Sequence, residues 1–225
     1  MLRRAAVIAS KDLRLSVSGG QGLVQSVLLG LLLIFLFSLA YPEGQGIPPQ
    51  AAAAVFWLAS AFGLVLVFNG LFSLEEAEGA RLGMLSSPVP RHSIWLGKAV
   101  AGFALLFVSQ LVFFPAMIVF LGQNLRGPLW LLPVTWGAAD LGLVVVGALL
   151  GALAQGQAAR ESLLSVIVFP LLIPALLAGI TLFAVVLSGV GGDNAKSWLG
   201  LLGAFDALYA GAALLLFPFV YGGEE

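Results

Sequence analysis

Residues 21–41 read QGLVQSVLLGLLLIFLFSLAY, a run without one charged side chain. A helix needs about 20 mainly apolar residues to cross the hydrocarbon core of a bilayer. The apolar positions follow one another without the period-two alternation of a barrel strand, so the run reads as a transmembrane helix. Five further stretches pass the same test, at about 51–74, 95–122, 129–154, 162–188 and 198–221. These spans occupy most of the 225 residues and leave no room for a soluble domain. The expected fold is a single all-α membrane domain over residues 1–225 with six transmembrane helices.

Composition agrees. Hydrophobic residues make up 60% of the chain and charged residues 9%, with mean hydropathy +1.07. A soluble domain carries about 25% charged residues, so a cytosolic enzyme and a disordered tail are excluded. Ten Lys and Arg balance eleven Asp and Glu, which leaves no field to recruit nucleic acid. The absence of cysteine removes disulfides, thiolate metal sites and thiol nucleophiles, and a single histidine offers no paired metal site. No phosphate-binding loop of the form GxxxxGK[ST] occurs, so the chain does not hydrolyse ATP by that route.

Basic residues set the orientation. Arg3, Arg4, Lys11 and Arg14 precede the first span, Arg81, Arg91 and Lys98 fall between the second and third, and Arg160 lies between the fourth and fifth. Only Arg126 and Lys196 fall in the other loops, and eight against two places both termini in the cytoplasm. The apolar run at the start is too long, and begins too late, for a cleaved signal peptide. Leu2, Ala5, Ala6, Ala9, Leu13 and Val17 repeat at helical spacing apart from the basic residues. Residues 1–20 therefore read as an amphipathic helix in the cytoplasmic interface, basic groups toward lipid headgroups, with Gly19-Gly20 bending the chain into the first span. An unstructured topology signal is the alternative.

The segment from Ser73 to Arg91 reads SLEEAEGARLGMLSSPVPR. Three acids open it, Leu82 and Leu85 give a short helical pattern, and Pro88 and Pro90 stop it. It is either a short cytoplasmic helix held as a lever between two spans or a solvated loop.

Charges inside a span are costly and are functional candidates by default. Asp140 lies about midway in the fourth span and Asp206 about a third of the way into the sixth. They are candidates for a proton or cation path, for a wet crevice, or for interhelical hydrogen bonds. Asn69, Gln110 and Gln155 suit interhelical hydrogen bonding. Gly147 and Gly151 form a GxxxG match. Pro170 and Pro174 each remove a backbone donor from the fifth span and predict a kink or break there, as a hinge or as a static feature. His92 follows Pro90 and Arg91 and reads as a loop histidine, and Trp57, Trp95, Trp130 and Trp198 read as interfacial belt residues.

The pair Glu78-Gly79, with Leu82, Leu85, Ser87-Pro88-Val89, Arg91 and Gly97-Lys98, resembles the cytoplasmic segment of ABC-2-type export permeases. Three further stretches narrow the resemblance: Lys11-Asp12-Leu13-Arg14-Leu15, then Arg160-Glu161-Ser162-Leu163-Leu164 with Phe169-Pro170-Leu171-Leu172-Ile173-Pro174, and the ending from Trp198 to Asp206. Together they are similar to the CcmB-type permease of the cytochrome c maturation haem exporter, in order and over nearly the whole chain. The acid-rich segment departs from the family in having less mixed charge and only Ala80 after the glycine.

The resemblance implies a permease component in a bacterial inner membrane, with ATP bound by a partner and haem the cargo of the complex. The segment between spans two and three would supply a coupling helix, with Glu75, Glu76, Glu78, Gly79, Arg81, Leu82, Leu85 and Pro88 facing the ATPase. Implied partners are two ATP-binding cassette subunits, a second permease copy, a haem-handling multispan subunit, a small single-span subunit and a periplasmic haem chaperone. Release of the loaded chaperone is the work that ATP hydrolysis would drive. Three other functions stay open: an ABC-2-type exporter of lipid, glycan or drug, an ion-coupled carrier using Asp140 and Asp206, and a passive scaffold.

Overall fold

The computed structural model describes residues 1–19, 22–42, 46–77, 83, 89–154 and 158–222. Among these there are seven α-helices and no strand. They are α1 (Leu2–Gly19), α2 (Leu23–Ala40), α3 (Pro49–Ala77), α4 (Arg91–Phe120), α5 (Leu131–Ala154), α6 (Ala158–Ser188) and α7 (Ala195–Gly222), with a 3-10 turn Gly192–Asn194 before the last. Six segments are long and apolar enough to cross a membrane, at Leu23–Ala40, Pro49–Ser73, Arg91–Phe120, Leu131–Leu153, Phe169–Ser188 and Gly192–Tyr221. Each overlaps one expected span.

The start of α4 differs from expectation, lying four residues before Trp95. Pro90 precedes it with φ −59°, and Ser93 N–H donates to the Pro90 carbonyl at 2.8 Å. Proline at a helix start loses no intrahelical bond, because the first N–H groups have no partner there in any case. The polar turn Arg91-His92-Ser93 is thus helix, and His92 is a half-buried first-turn residue instead of a loop histidine. Lys98, expected between spans, lies two turns inside α4 and is fully buried.

Helices α3 and α5 form the centre. The apolar window of α5 is 78% buried and that of α3 is 67%, against 17% for α2 and 22% for α7, which therefore flank the bundle. The GxxxG match is used in packing: a Cβ at Gly147 would strike the Phe68 ring, and one at Gly151 the Phe72 ring. Phe68 also lies against Gly102 of α4, so one side chain of α3 fills the space opened by glycines on two neighbours. Close approach at small residues is the route to packing where hydrocarbon supplies no hydrophobic drive between helices. Phe56 stacks on Phe183 of α6 at 4.8 Å, with Trp57 and Trp136 edge-on around them. Trp57 is therefore core, wedged against Gly179, and Trp95 is buried as well, whereas Trp130 is 62% exposed as a belt residue should be.

Helix α1 exists as expected, but its docking face is rotated from the expected stripe and shares only Ala5 and Ala9 with it. Its buried residues are Ala5, Ala9, Asp12 and Ser16, while Leu2 and Val17 are exposed. The 4-3-4 spacing makes a narrow stripe of small residues that meets α4, where a Cβ at Gly97 would strike Ile8. Gly22, at φ +79°, takes a positive φ that favours glycine before α2, and Gly20 lies outside the described residues.

Candidate functional site

At the end of the bundle that carries most of the basic residues, α4 holds three neighbours in its first two turns. Lys98 Nζ donates to the carbonyl of Leu71 on α3 at 2.8 Å, and the ammonium stands 4.9 Å from the centre of the Phe72 ring. The same nitrogen lies 3.2 Å from Oδ2 of Asp12 on α1, and Asp12 Oδ1 pairs with Lys11 at 3.0 Å. Both members of the α1–α4 pair are out of water, at 0% and 3% exposure. A buried ammonium is tolerated only when its donors are used, and here a carboxylate, a carbonyl and an aromatic face share it. At the very start of α4, Arg91 Nη1 donates to the Pro218 carbonyl of α7 at 2.9 Å. Helices α1, α3 and α7 are thus all tied to the start of α4, which follows the expected coupling segment in the chain.

Of the residues expected to couple to an ATPase, Glu75 and Glu76 fall in the last turn of α3. Glu78, Gly79, Arg81, Leu82, Leu85 and Pro88 lie outside the described residues, as does Gln155.

Midway through the bundle a polar cluster joins α3, α4 and α5. Gln110 Nε2 donates to Asp140 Oδ1 at 2.7 Å and to Ser60 Oγ at 3.1 Å. Its carbonyl oxygen accepts from Trp136 Nε1. The amide thereby spends both donor hydrogens and one acceptor site within the protein. Every member is buried. Asp140 Oδ2 makes no hydrogen bond, and no cation among the described residues pairs with this carboxylate. A neighbouring hydroxyl pair, Ser26 to Ser109 at 3.1 Å, ties α2 to α4. Asn69, by contrast, is exposed and makes no hydrogen bond to another helix among the described residues.

Asp206 on α7 is 6% exposed and lies over Gly142 of α5, with its Oδ1 buried and unbonded. Positions two apart on a helix point to nearly opposite sides. Asp140 meets α4 while Asp206 approaches α5 at position 142, so the two acids are separated by α5 and form no pair. Pro170 and Pro174 are both inside α6, which runs through them without a break. Two further prolines, Pro115 in α4 and Pro218 in α7, also lie within helices.

Two residues of the basic end are not evident as partners from sequence: Asp12 carries no mark of burial there, and Lys98 counts only toward topology. The one signal is the Ala5, Ala9, Asp12, Ser16 spacing, a stripe of small residues interrupted by one acid.

A family model described as CcmB protein matches residues 3–223. The chain is similar to heme exporter protein B of Pseudomonas aeruginosa, 27% identical over 216 residues that cover 95% of this chain and 92% of that one. It is also similar to heme exporter protein B of Paracoccus denitrificans, 27% identical over 93% of this chain and 92% of the other, and of Rhodobacter capsulatus, 26% identical over 76% and 78%.

Proposed function

Because the chain belongs to the CcmB family, we propose that it is the membrane-spanning permease component of a haem-exporting ABC complex. The observation that carries the reading is the family match over 3–223 on a bundle with six membrane-length apolar segments. The basic end faces the cytoplasm of a bacterium and both termini lie there, in line with the eight-to-two distribution of Lys and Arg. The α1 helix lies in the cytoplasmic interface against lipid headgroups. ATP is bound by a cassette partner, present in two copies beneath a pair of permease chains. A haem-handling multispan subunit, a small single-span subunit and a periplasmic haem chaperone complete the assembly, and haem is its cargo.

Mechanically, closure of the cassette dimer presses on residues 74–88. That stretch joins the end of α3 to the start of α4, and those two ends are bonded to each other through Lys98 and the Leu71 carbonyl. Displacement there reaches α1 through Asp12 and α7 through Arg91. Rigid helices linked by discrete contacts move as units, so a push at the cytoplasmic end changes the shape of the bundle at the far end, and the loaded chaperone is released.

Gentle purification of the tagged chain from its native membrane, followed by identification of what accompanies it, tests this. A cassette ATPase together with haem-handling proteins is the expected result. A cassette ATPase without them moves the protein to a general ABC-2-type exporter. No cassette ATPase at all ends the ABC reading. Within the complex, Glu78→Lys and Leu82→Ala are expected to leave ATP hydrolysis running while chaperone release fails, and normal release in both variants removes the lever.

A further inference from the structure

At the end of the bundle opposite Lys98, two adjoining cavities flank the last two turns of α6. One, of about 230 Å³, is lined by Gln123, Asn124, Arg126 and Ser188 among others. The second, of about 330 Å³, runs along Thr181, Ala184, Val185 and Ser188 beside Pro48. Pro49 and Ser188 belong to both walls. The first is polar; the second is largely apolar and extends toward the membrane interior.

Arg126 is fixed at its root, and no described residue holds its tip. Its backbone N–H donates to the Val186 carbonyl at 3.2 Å, and the next N–H, of Gly127, donates to the same oxygen at 2.8 Å. The loop is thereby pinned to α6, while the guanidinium makes no ion pair or hydrogen bond with any described residue. Gln123, buried alongside, is held by its own amide donating to the Ile47 and Leu121 carbonyls. A planar fork of donors that no described residue takes up, in a polar cavity adjoining an apolar slot, suits a ligand with an apolar body and a carboxylate at its edge.

We propose that this pair of cavities is a haem site, with a propionate on Arg126 and the edge of the macrocycle in the apolar cavity. The proposal rests on the haem-exporter reading. The size of the slot favours a compact ring over a lipid tail. From Thr181 to Ser188 is about 11 Å of helix, whereas an acyl chain fills about 15 Å, half the hydrocarbon core. None of the lining residues is a His, Cys, Met or Tyr, so the site holds the acids and the ring and leaves the iron without a protein ligand.

That chemistry dictates the test. The full chain, in nanodiscs of zwitterionic lipid, is titrated with haem, metal-free protoporphyrin IX and protoporphyrin dimethyl ester. Haem and free protoporphyrin should bind alike, and the diester about tenfold or more weaker, because esterification removes the charge-assisted bonds. Arg126→Gln should weaken the two acids by a similar factor and leave the diester unchanged, and Arg126→Lys should recover part of the loss. Ala184→Leu, which fills the slot, should weaken all three. The haem absorption band of bound wild type and Arg126→Gln should coincide, as the iron is not ligated. Equal haem binding by wild type and Arg126→Gln overturns the proposal. So does binding that requires iron, or a wild-type chain that takes up no haem. Phosphatidylglycerol that displaces haem from wild type while Arg126→Gln ignores it assigns the pocket to a lipid headgroup instead. These failures leave the partner test untouched, since co-purification of a cassette ATPase and haem-handling proteins does not depend on Arg126.

Discussion

Asp12 of α1 and Lys98 of α4 form an ion pair at 3.2 Å with neither side chain open to water, and this pair fixes where the first helix sits. The desolvation cost of two buried charges offsets most of their attraction, so the pair specifies position more than it adds stability. Losing one partner is different, because the other charge stays buried with less to compensate it, Asp12 keeping the partly exposed Lys11 and Lys98 the Leu71 carbonyl. Asp12→Leu and Lys98→Met are each expected to destabilise the chain by about 3–5 kcal/mol. The combination Asp12→Leu with Lys98→Met should come close to wild type. Thermal unfolding of the four proteins in one detergent decides it, and additive losses in the double variant would refute a paired role.

Gln110 is the hub of the central cluster, bonded to Ser60, Asp140 and Trp136 at once. Replacing it with Leu strands the Trp136 N–H and Oδ1 of Asp140, at about 1–3 kcal/mol for each group left unsatisfied. Trp136→Phe removes a single bond and should cost about 1 kcal/mol, apart from any change in packing. The order Gln110→Leu worse than Trp136→Phe, read from unfolding midpoints, is the expected result. A reversed order would place the hub elsewhere.

Phe68 fills the gap that Gly102 and Gly147 leave between α3, α4 and α5. Gly147→Ala drives a methyl group into that ring, and overpacking of this kind costs about 1–3 kcal/mol. Phe68→Leu in the same chain should restore part of the loss. If the double variant is no better than Gly147→Ala alone, the clash is not with Phe68.

Pro170 and Pro174 interrupt the hydrogen-bond ladder of α6 while the helix continues through them. Replacing both with Ala returns the missing donors and is expected to raise the unfolding temperature. If the site serves as a hinge, the ATPase turnover of the complex should fall in the same variant. Turnover that stays unchanged assigns the prolines to static shape.

The six spans are readable because hydrocarbon imposes one rule, continuous apolarity at helix length. Boundaries at polar ends are less so: the start of α4 escapes that rule because Arg91, His92 and Ser93 are not apolar, although Pro90 marks a legal helix start. The interior of the bundle follows a rule that composition does not express. Asp12, Lys98 and Gln110 are chosen by what stands opposite them on another helix, and one chain read in order does not reveal opposites. Asp140 is visible as an anomaly, yet its donor at Gln110 comes only with the packing. The docking face of α1 differs from its apolar stripe for a related reason. The bundle wants small residues for close approach, so Ala5, Ala9 and Ser16 face inward and the larger Leu2 and Val17 face out.

The pairing of Asp12 with Lys98 also orders events at the ribosome. The first helix is synthesised well before Lys98 exists, and its acid has no buried ammonium to meet until the third span has been inserted. Until then α1 has no place to dock. Its seating waits for the third of the six spans and needs that span in the bilayer at the depth that brings Lys98 level with Asp12.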